Sequence, residues 1–337
     1  IYDDVTQTYS MSPEISVEYE RLMRCAKTMS YSNVIVMSHL KDEPRPINKV
    51  RKPRVFCGFP VAFNILARQY LLPLIAIIQC NPILTGIAVG VDCNSYQWGD
   101  FYDKLTRGRS AGNFAGDFES FDKNMSSAII KFAFGVFYAI AKLIGYTKLQ
   151  IAIIHWLAGD LAHAIILVRG EILRVNNGNL SGNVATTIIN SIVNILYMMY
   201  CYSAKADPMS FFEFVSILVY GDDNILGSSL KWFNHSFVEQ NLASLGIVYT
   251  MADKTSASEP FTPIEHLDFL KRSFKYDARF NTYVAPLSLT SIYRMSQIRV
   301  VGELGVAQHH IVIIENMARE LFFHSYSEYI RDRKSAV

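Results

Sequence analysis

Tyr220-Gly221-Asp222-Asp223 lies between two apolar runs, Phe214 to Val219 and Ile225 to Leu226. The pattern predicts a β-hairpin with two adjacent carboxylates at its tip. A glycine at the first central position of a two-residue loop suits a type II′ turn. Carboxylates on a rigid hairpin tip can hold divalent cations over a reacting phosphate, because Mg²⁺ takes hard oxygen ligands from carboxylates and substrate phosphates together. Gly and Asp are also common turn residues, so a plain solvated turn would read the same over four residues. Residues elsewhere in the chain decide between the two.

With 337 residues, 50% of them hydrophobic, the chain can bury a large core in one to three domains and lacks the composition of a disordered protein. Its net charge is only +2, so any affinity for nucleic acid must come from local clusters. Cys25, Cys57, Cys80, Cys93 and Cys201 are scattered without a CxxC pair. This disfavours a zinc site or disulfide framework and fits a reducing compartment. The chain opens on Ile1, as expected of a processed product or an excised piece. The apolar stretch from Ala128 to Gly145 is interrupted by Lys131 and Lys142 and is shorter than the roughly 20 residues of a span, so it predicts a buried helix and no membrane anchor. The histidines show no metal-ligand spacing. Neither a P-loop nor a Gly-x-Ser-x-Gly elbow is present.

Periodicity and capping predict helices over 12–30, 61–80, from Ser126 onward, 148–163, 183–202 and 231–245, with mainly helix after 288. Strands are predicted over 34–40, 54–57, 113–118, 247–250 and 266–275, with a hairpin around Arg169-Gly170. Helices mixed with antiparallel hairpins indicate an α+β fold.

Five further stretches carry chemistry. In Asp117-Phe118-Glu119-Ser120-Phe121-Asp122, Asp117 ends an apolar strand and can supply a third carboxylate. Asp122 either accepts a hydrogen bond from a ribose hydroxyl or merely opens the next helix. In Ser181-Gly182-Asn183-Val184-Ala185-Thr186-Thr187-Ile188-Ile189-Asn190, a Gly-flanked loop leads into a helix where Thr186 and Asn190 share one face. They can read a nucleotide sugar or form a packed polar stripe. The span from Lys41 to Arg54 holds six basic residues, Lys41, Arg45, Lys49, Arg51, Lys52 and Arg54, and three prolines. That is a stiff basic strip for phosphate or a solvated loop. Asp253-Lys254-Thr255 and the amphipathic Phe269-Leu270-Lys271-Arg272 are weaker signals.

The order of these stretches resembles the RNA-dependent RNA polymerases of picorna-like positive-strand RNA viruses. Lys41 to Arg54 is similar to motif F, Asp117 to Asp122 to motif A, and Ser181 to Asn190 to motif B. Tyr220 to Asp223 is similar to motif C, Lys254 to the motif D lysine, and Phe269 to Arg272 to motif E. A reverse transcriptase shares an Asp-Asp palm hairpin but lacks the Ser-Gly-x3-Thr-x3-Asn pattern. A non-catalytic RNA-binding fragment is the other alternative.

The resemblance implies a right-hand polymerase with an antiparallel palm sheet flanked by helices. Fingers are expected over 1–74, palm with motif A over 75–152, a fingers insertion over 153–178, palm with motifs B to E over 179–275, and thumb over 276–337. The upstream part of the fingers is expected to lie outside this chain, and the motif F loop to be about two residues shorter than in enteroviruses. Two Mg²⁺ ions, or Mn²⁺ in their place, are implied on Asp117, Asp222 and Asp223. Lys254 is the implied acid for pyrophosphate. Lys41, Arg45, Lys49 and Arg54 are implied for the triphosphate, and Asp122, Thr186 and Asn190 for the 2′-hydroxyl. Ser181 and Gly182 are implied near the templating base, and Lys271 and Arg272 on the primer. Implied partners are template and primer RNA, ribonucleoside triphosphates, a protein primer and other replication proteins. The implied setting is the host cytoplasm, with membranes reached through partners.

Overall fold

The computed structural model describes residues 2–3, 8–43, 47, 51, 53–252, 256–297, 305–324 and 330. The chain forms two compact units, one of residues 1–81 with 120–196, the other of 82–119 with 197–337. The first therefore takes in 120–152 and 179–196 as well as the stretches expected to form fingers.

The first unit holds helices packed on one another and a four-stranded sheet ordered Val55–Gly58, Ile35–Leu40, Ile165–Val168, Glu171–Arg174. Ile35–Leu40 pairs antiparallel with Val55–Gly58 but parallel with Ile165–Val168, so this sheet is mixed. Local sequence starts its helices. Ser12 accepts from Ile15 N ahead of Pro13–Thr28, Ser126 from Ile129 N ahead of Ser127–Leu143, and Thr147 and Gln150 form a capping box at Lys148–Ala162.

Ser127–Leu143 is a core helix that buries one face. Ile130, Ala133, Phe134, Phe137 and Ala141 face the core, while Phe132 and Leu143 are exposed. Among the described residues, Val61–Gln79 is instead the helix long and apolar enough to cross a membrane. Here it serves as a core helix: Leu66, Leu71, Leu74 and Ile78 are buried, Phe63 lies against Trp156, and the Tyr146 hydroxyl donates to Tyr70 O.

The second unit is built on a fully antiparallel sheet ordered Tyr249–Met251, Gly112–Phe118, Asp223–Ser228, Val215–Tyr220. Helix Gln97–Thr106 packs on it with Trp98, Phe101 and Leu105 in a core shared with Ala115, Leu218 and Ile225. Burying each large side chain contributes about 1.5–3 kcal/mol. This helix lies outside the sequence-based expectation. It has no side-chain cap, and its first turn contains Gly99. A Cβ at Gly99 would lie 2.2 Å from Thr282 Oγ1 on strand Thr282–Val284, so the glycine is there for close packing. The mainly helical tail comprises Leu289–Gln297 and Val306–Leu321.

Candidate active site

Strand register places the acids. Tyr220 pairs with Asp223, closing a two-residue turn over Gly221 and Asp222. Gly221 has φ 65°, while Asp222 is not among the residues with positive φ, the combination of a type II′ turn. On the neighbouring strand the ladder ends at Gly116 opposite Asn224. One step further along the register, Asp117 falls opposite Asp223. Directly opposed residues share a face with Cα atoms about 4.5–5.5 Å apart. Asp117, Asp222 and Asp223 thus lie at one end of one sheet, Asp117 half-buried, Asp222 and Asp223 exposed.

The sheet beneath them is braced from behind. The Tyr249 hydroxyl donates to Asn224 Oδ1 (2.7 Å), and Asn224 Nδ2 reaches the Asp222 carbonyl (3.4 Å). Burial pushes the Tyr249 hydroxyl pKa well up, so it stays a donor. Its ring fills the space over Gly116, where a Cβ would lie 2.2 Å from Cζ. Sequence reasoning did not single out Tyr249 or Asn224. The glycine one residue before Asp117 was the available signal.

These acids suit a hard divalent cation in donor type. Among the described residues, no three His, Cys, Asp or Glu side chains close into a ready-made metal cage. Mg²⁺ sites of this chemistry use one or two carboxylates and are completed by substrate phosphates, so the donor set fits without a cage.

The first unit holds the other polar groups. Ser120 takes the left-handed conformation (φ 54°) and turns the chain into the short helix Phe121–Asn124. On it, Asp122 Oδ1 accepts from Asn190 Nδ2 (2.5 Å). Desolvation raises the Asp122 pKa, while the Asn190 hydrogen bond and the Lys41 charge oppose it. Thr186 shares the helix with Asn190, but its hydroxyl donates back to the carbonyls of Leu180 and Asn183. Asn179 and Asn183, to which no role was given from sequence, complete this corner.

The loop before the helix is held by close packing. Gly182 has φ 96°, and a Cβ there would lie 1.8 Å from the Cys57 carbonyl oxygen. Ser181 beside it is half-buried. Cys57 belongs to the strand that follows the basic strip. The base of that strip is closed by Lys41 N–H donating to Arg54 O (2.9 Å), continuing the pairing of Leu40 with Val55. Arg54 is exposed, 3.6 Å from Glu43. Arg45, Lys49 and Lys254 lie outside the described residues.

The strand expected over 266–275 is a tight turn. Leu270 and Lys271 both have positive φ, 58° and 61°, and Phe269 bridges to Arg272. Lys271 is exposed. Arg272 is not a solvent-facing primer contact: its guanidinium grips both Glu320 carboxylate oxygens (2.7 and 2.8 Å) and the Ala285 carbonyl. Its side chain is only 12% exposed.

The family model described as viral RNA-dependent RNA polymerase matches residues 2–332. The chain belongs to that family. It carries the polymerase domain of positive-strand RNA viruses, which sets the reverse-transcriptase alternative aside. It is 29% identical over 99% of its length to the replicase polyprotein of Drosophila C virus. It is 30% identical over 96% of its length to that of Cricket paralysis virus. The chain spans about a fifth of these polyproteins, 20% and 19%. The Sicinivirus 3Dpol RNA-dependent RNA polymerase superposes with a TM-score of 0.80 at 22% identity, covering 98% of this chain and 67% of that one. The fold is thus the α+β right-hand polymerase fold.

Proposed function

We propose that this polymerase domain performs template-directed RNA synthesis by nucleotidyl transfer during viral genome replication. A primer 3′-hydroxyl attacks the α-phosphate of a ribonucleoside triphosphate, and pyrophosphate leaves. The observation that carries this reading is the strand register, whose last pair Gly116–Asn224 brings Asp117 to the level of Asp223, one residue from Asp222 at the tip.

Asp117 and Asp222, with Asp223 assisting, are the residues to hold two Mg²⁺ ions, or Mn²⁺ in their place. When bound, such ions activate the attacking hydroxyl and neutralise charge on the leaving oxygens. The protein's share is positioning and fixed charge. Arg54, with Lys41, Arg45 and Lys49, grips the triphosphate. Lys254 protonates the leaving pyrophosphate, a role that rests on family resemblance. Asp122 accepts from the 2′-hydroxyl, the group that separates ribonucleotides from deoxyribonucleotides. Asn190 fixes Asp122, and Thr186 fixes the loop of Ser181 and Gly182 near the templating base. Lys271 meets the primer backbone, with Arg272 holding the turn that presents it.

Fingers (1–74 and 153–178), palm (75–152 and 179–275) and thumb (276–337) are part of this reading. So are a protein primer, other replication proteins as partners, and replication complexes in the host cytoplasm that reach membranes through those partners. The polyprotein relatives support such company.

The test is primer extension on an RNA template with Mg²⁺, comparing the chain with Asp222→Ala. Incorporation should fall by on the order of 10³-fold or more in the variant. Equal incorporation by both would end the metal role of Asp222. RNA binding with no incorporation by either would favour a non-catalytic module.

A further inference from the structure

The hydrogen bonds leading to Asp122 run in one direction, and that direction is set far from Asp122. A side-chain amide can be turned over at little cost unless neighbours dictate which end donates. Here backbone groups dictate it. The Ala185 N–H, which can only donate, is bonded to Asn183 Oδ1 (2.9 Å). Asn183 Nδ2 must then face the Leu180 carbonyl (2.9 Å) and Asn179 Oδ1 (3.4 Å). Asn179 Nδ2 in turn donates to the Thr186 carbonyl (3.2 Å), which can only accept, and to Asn190 Oδ1 (2.7 Å). Asn190 is left with its Nδ2 toward Asp122 Oδ1.

The three asparagines are 2%, 8% and 7% exposed at positions 179, 183 and 190. Reversing any one would bring two acceptors face to face where little water can relieve them, and an unsatisfied buried polar group costs more than one hydrogen bond returns.

We propose that Asn179 is a positioning residue for sugar selection: by donating to Asn190 Oδ1 it keeps the Asn190 N–H on Asp122, leaving the other Asp122 oxygen to accept from the ribose 2′-hydroxyl. The inference rests on the reading of Asp122 and Asn190 as the sugar-recognising pair. Without Asn179 the Asn190 amide loses the neighbour that fixes its rotamer, and its N–H is no longer held on the carboxylate. Asn179 also has a local structural part, since its N–H donates to the Asp122 carbonyl (2.8 Å). That bond belongs to the backbone and survives a change of side chain.

The experiment measures equilibrium dissociation constants for ATP and 2′-deoxy-ATP, with Mg²⁺ and a primer–template RNA, in the chain and in Asn179→Leu, Asn179→Asp and Asn190→Ala. In Asn179→Leu the preference for ATP should fall about tenfold, the size of one hydrogen bond to a charged acceptor. The ribonucleotide then loses a contact that the deoxyribonucleotide never made. Asn179→Asp offers Asn190 only an acceptor and should lose at least as much. If Asn190→Ala lowers the preference but both Asn179 variants keep it, the positioning role is overturned and the sugar reading stands. If Asn190→Ala keeps the preference, both are overturned. Equal weakening for the two nucleotides in the Asn179 variants would mark a merely structural residue and also overturn the proposal. Should Asn179→Leu fail to fold, Asn179→Ser, too short to reach Asn190, takes its place under the same criteria.

Discussion

The acids of the second unit and the Asp122–Asn190 corner of the first are held by different means. Asp117, Asp222 and Asp223 are placed by main-chain register in an antiparallel sheet. Side chains brace that sheet from behind but do not set the register. Asp122 is placed through a file of side-chain amides, each deciding the orientation of the next. A site built on backbone register tolerates change in its neighbours. A site built on a file of amides passes a change at one end along to the other. The first arrangement suits charge that must stay put under a phosphate, and the second suits a comparison between two nearly identical sugars.

Substitutions of two glycines sharpen this contrast. In Gly182→Ala the new Cβ would strike a backbone oxygen at 1.8 Å, at a φ of 96° that alanine disfavours, so the loop must move. Misplacement of about 1 Å in such a site costs on the order of 10²-fold in rate, and single-turnover incorporation should fall by that much. An unchanged rate would mean that this loop takes no part in the chemistry.

In Gly116→Ala the Cβ meets a side chain, the Tyr249 ring at 2.2 Å. Overpacking of this kind costs about 2 kcal/mol, to be read from denaturant unfolding, with the register and the metal-dependent rate largely kept. A rate loss matching that of Gly182→Ala would break the distinction between the two regions.

The smallest effect concerns pH. His235 is fully buried, stacked on Tyr249 and hydrogen-bonded to Ser258 Oγ. Desolvation lowers its pKa from 6.5. The unfolded chain therefore takes up a proton more readily than the folded one. This contribution to stability is complete above about pH 6.5 and is lost as pH falls toward the lowered value. The unfolding midpoint should drop between pH 7 and pH 5.5, and His235→Phe should flatten that slope. Equal slopes would mean that His235 does not titrate in this window.

The positions of the acids were legible in the sequence because continuous apolar runs flank the turn at Tyr220–Asp223 and lead up to Asp117. Asp122 and Asn190 were legible as candidates from their spacing. The file behind them was not, because Asn179 and Asn183 look like ordinary loop residues until tertiary folding brings them together. The strand expected over 266–275 failed for a local reason. Apolar and basic residues are mixed there as in an amphipathic strand, but Leu270 and Lys271 are both left-handed, which composition does not encode. Arg272 read as a primer contact because its partner Glu320 lies 48 residues away in sequence. Helix Gln97–Thr106 carried apolar residues at helical spacing but no cap to mark its start.

The division of labour between the two regions is tested most directly by single-nucleotide incorporation of ATP and of 2′-deoxy-ATP on one primer–template, in the chain, in Asp222→Asn and in Asn190→Ala. The acid variant should slow both nucleotides by the same large factor and leave their ratio alone. The amide variant should narrow the ratio. A ratio that shifts in Asp222→Asn, or one that holds in Asn190→Ala, would contradict the account.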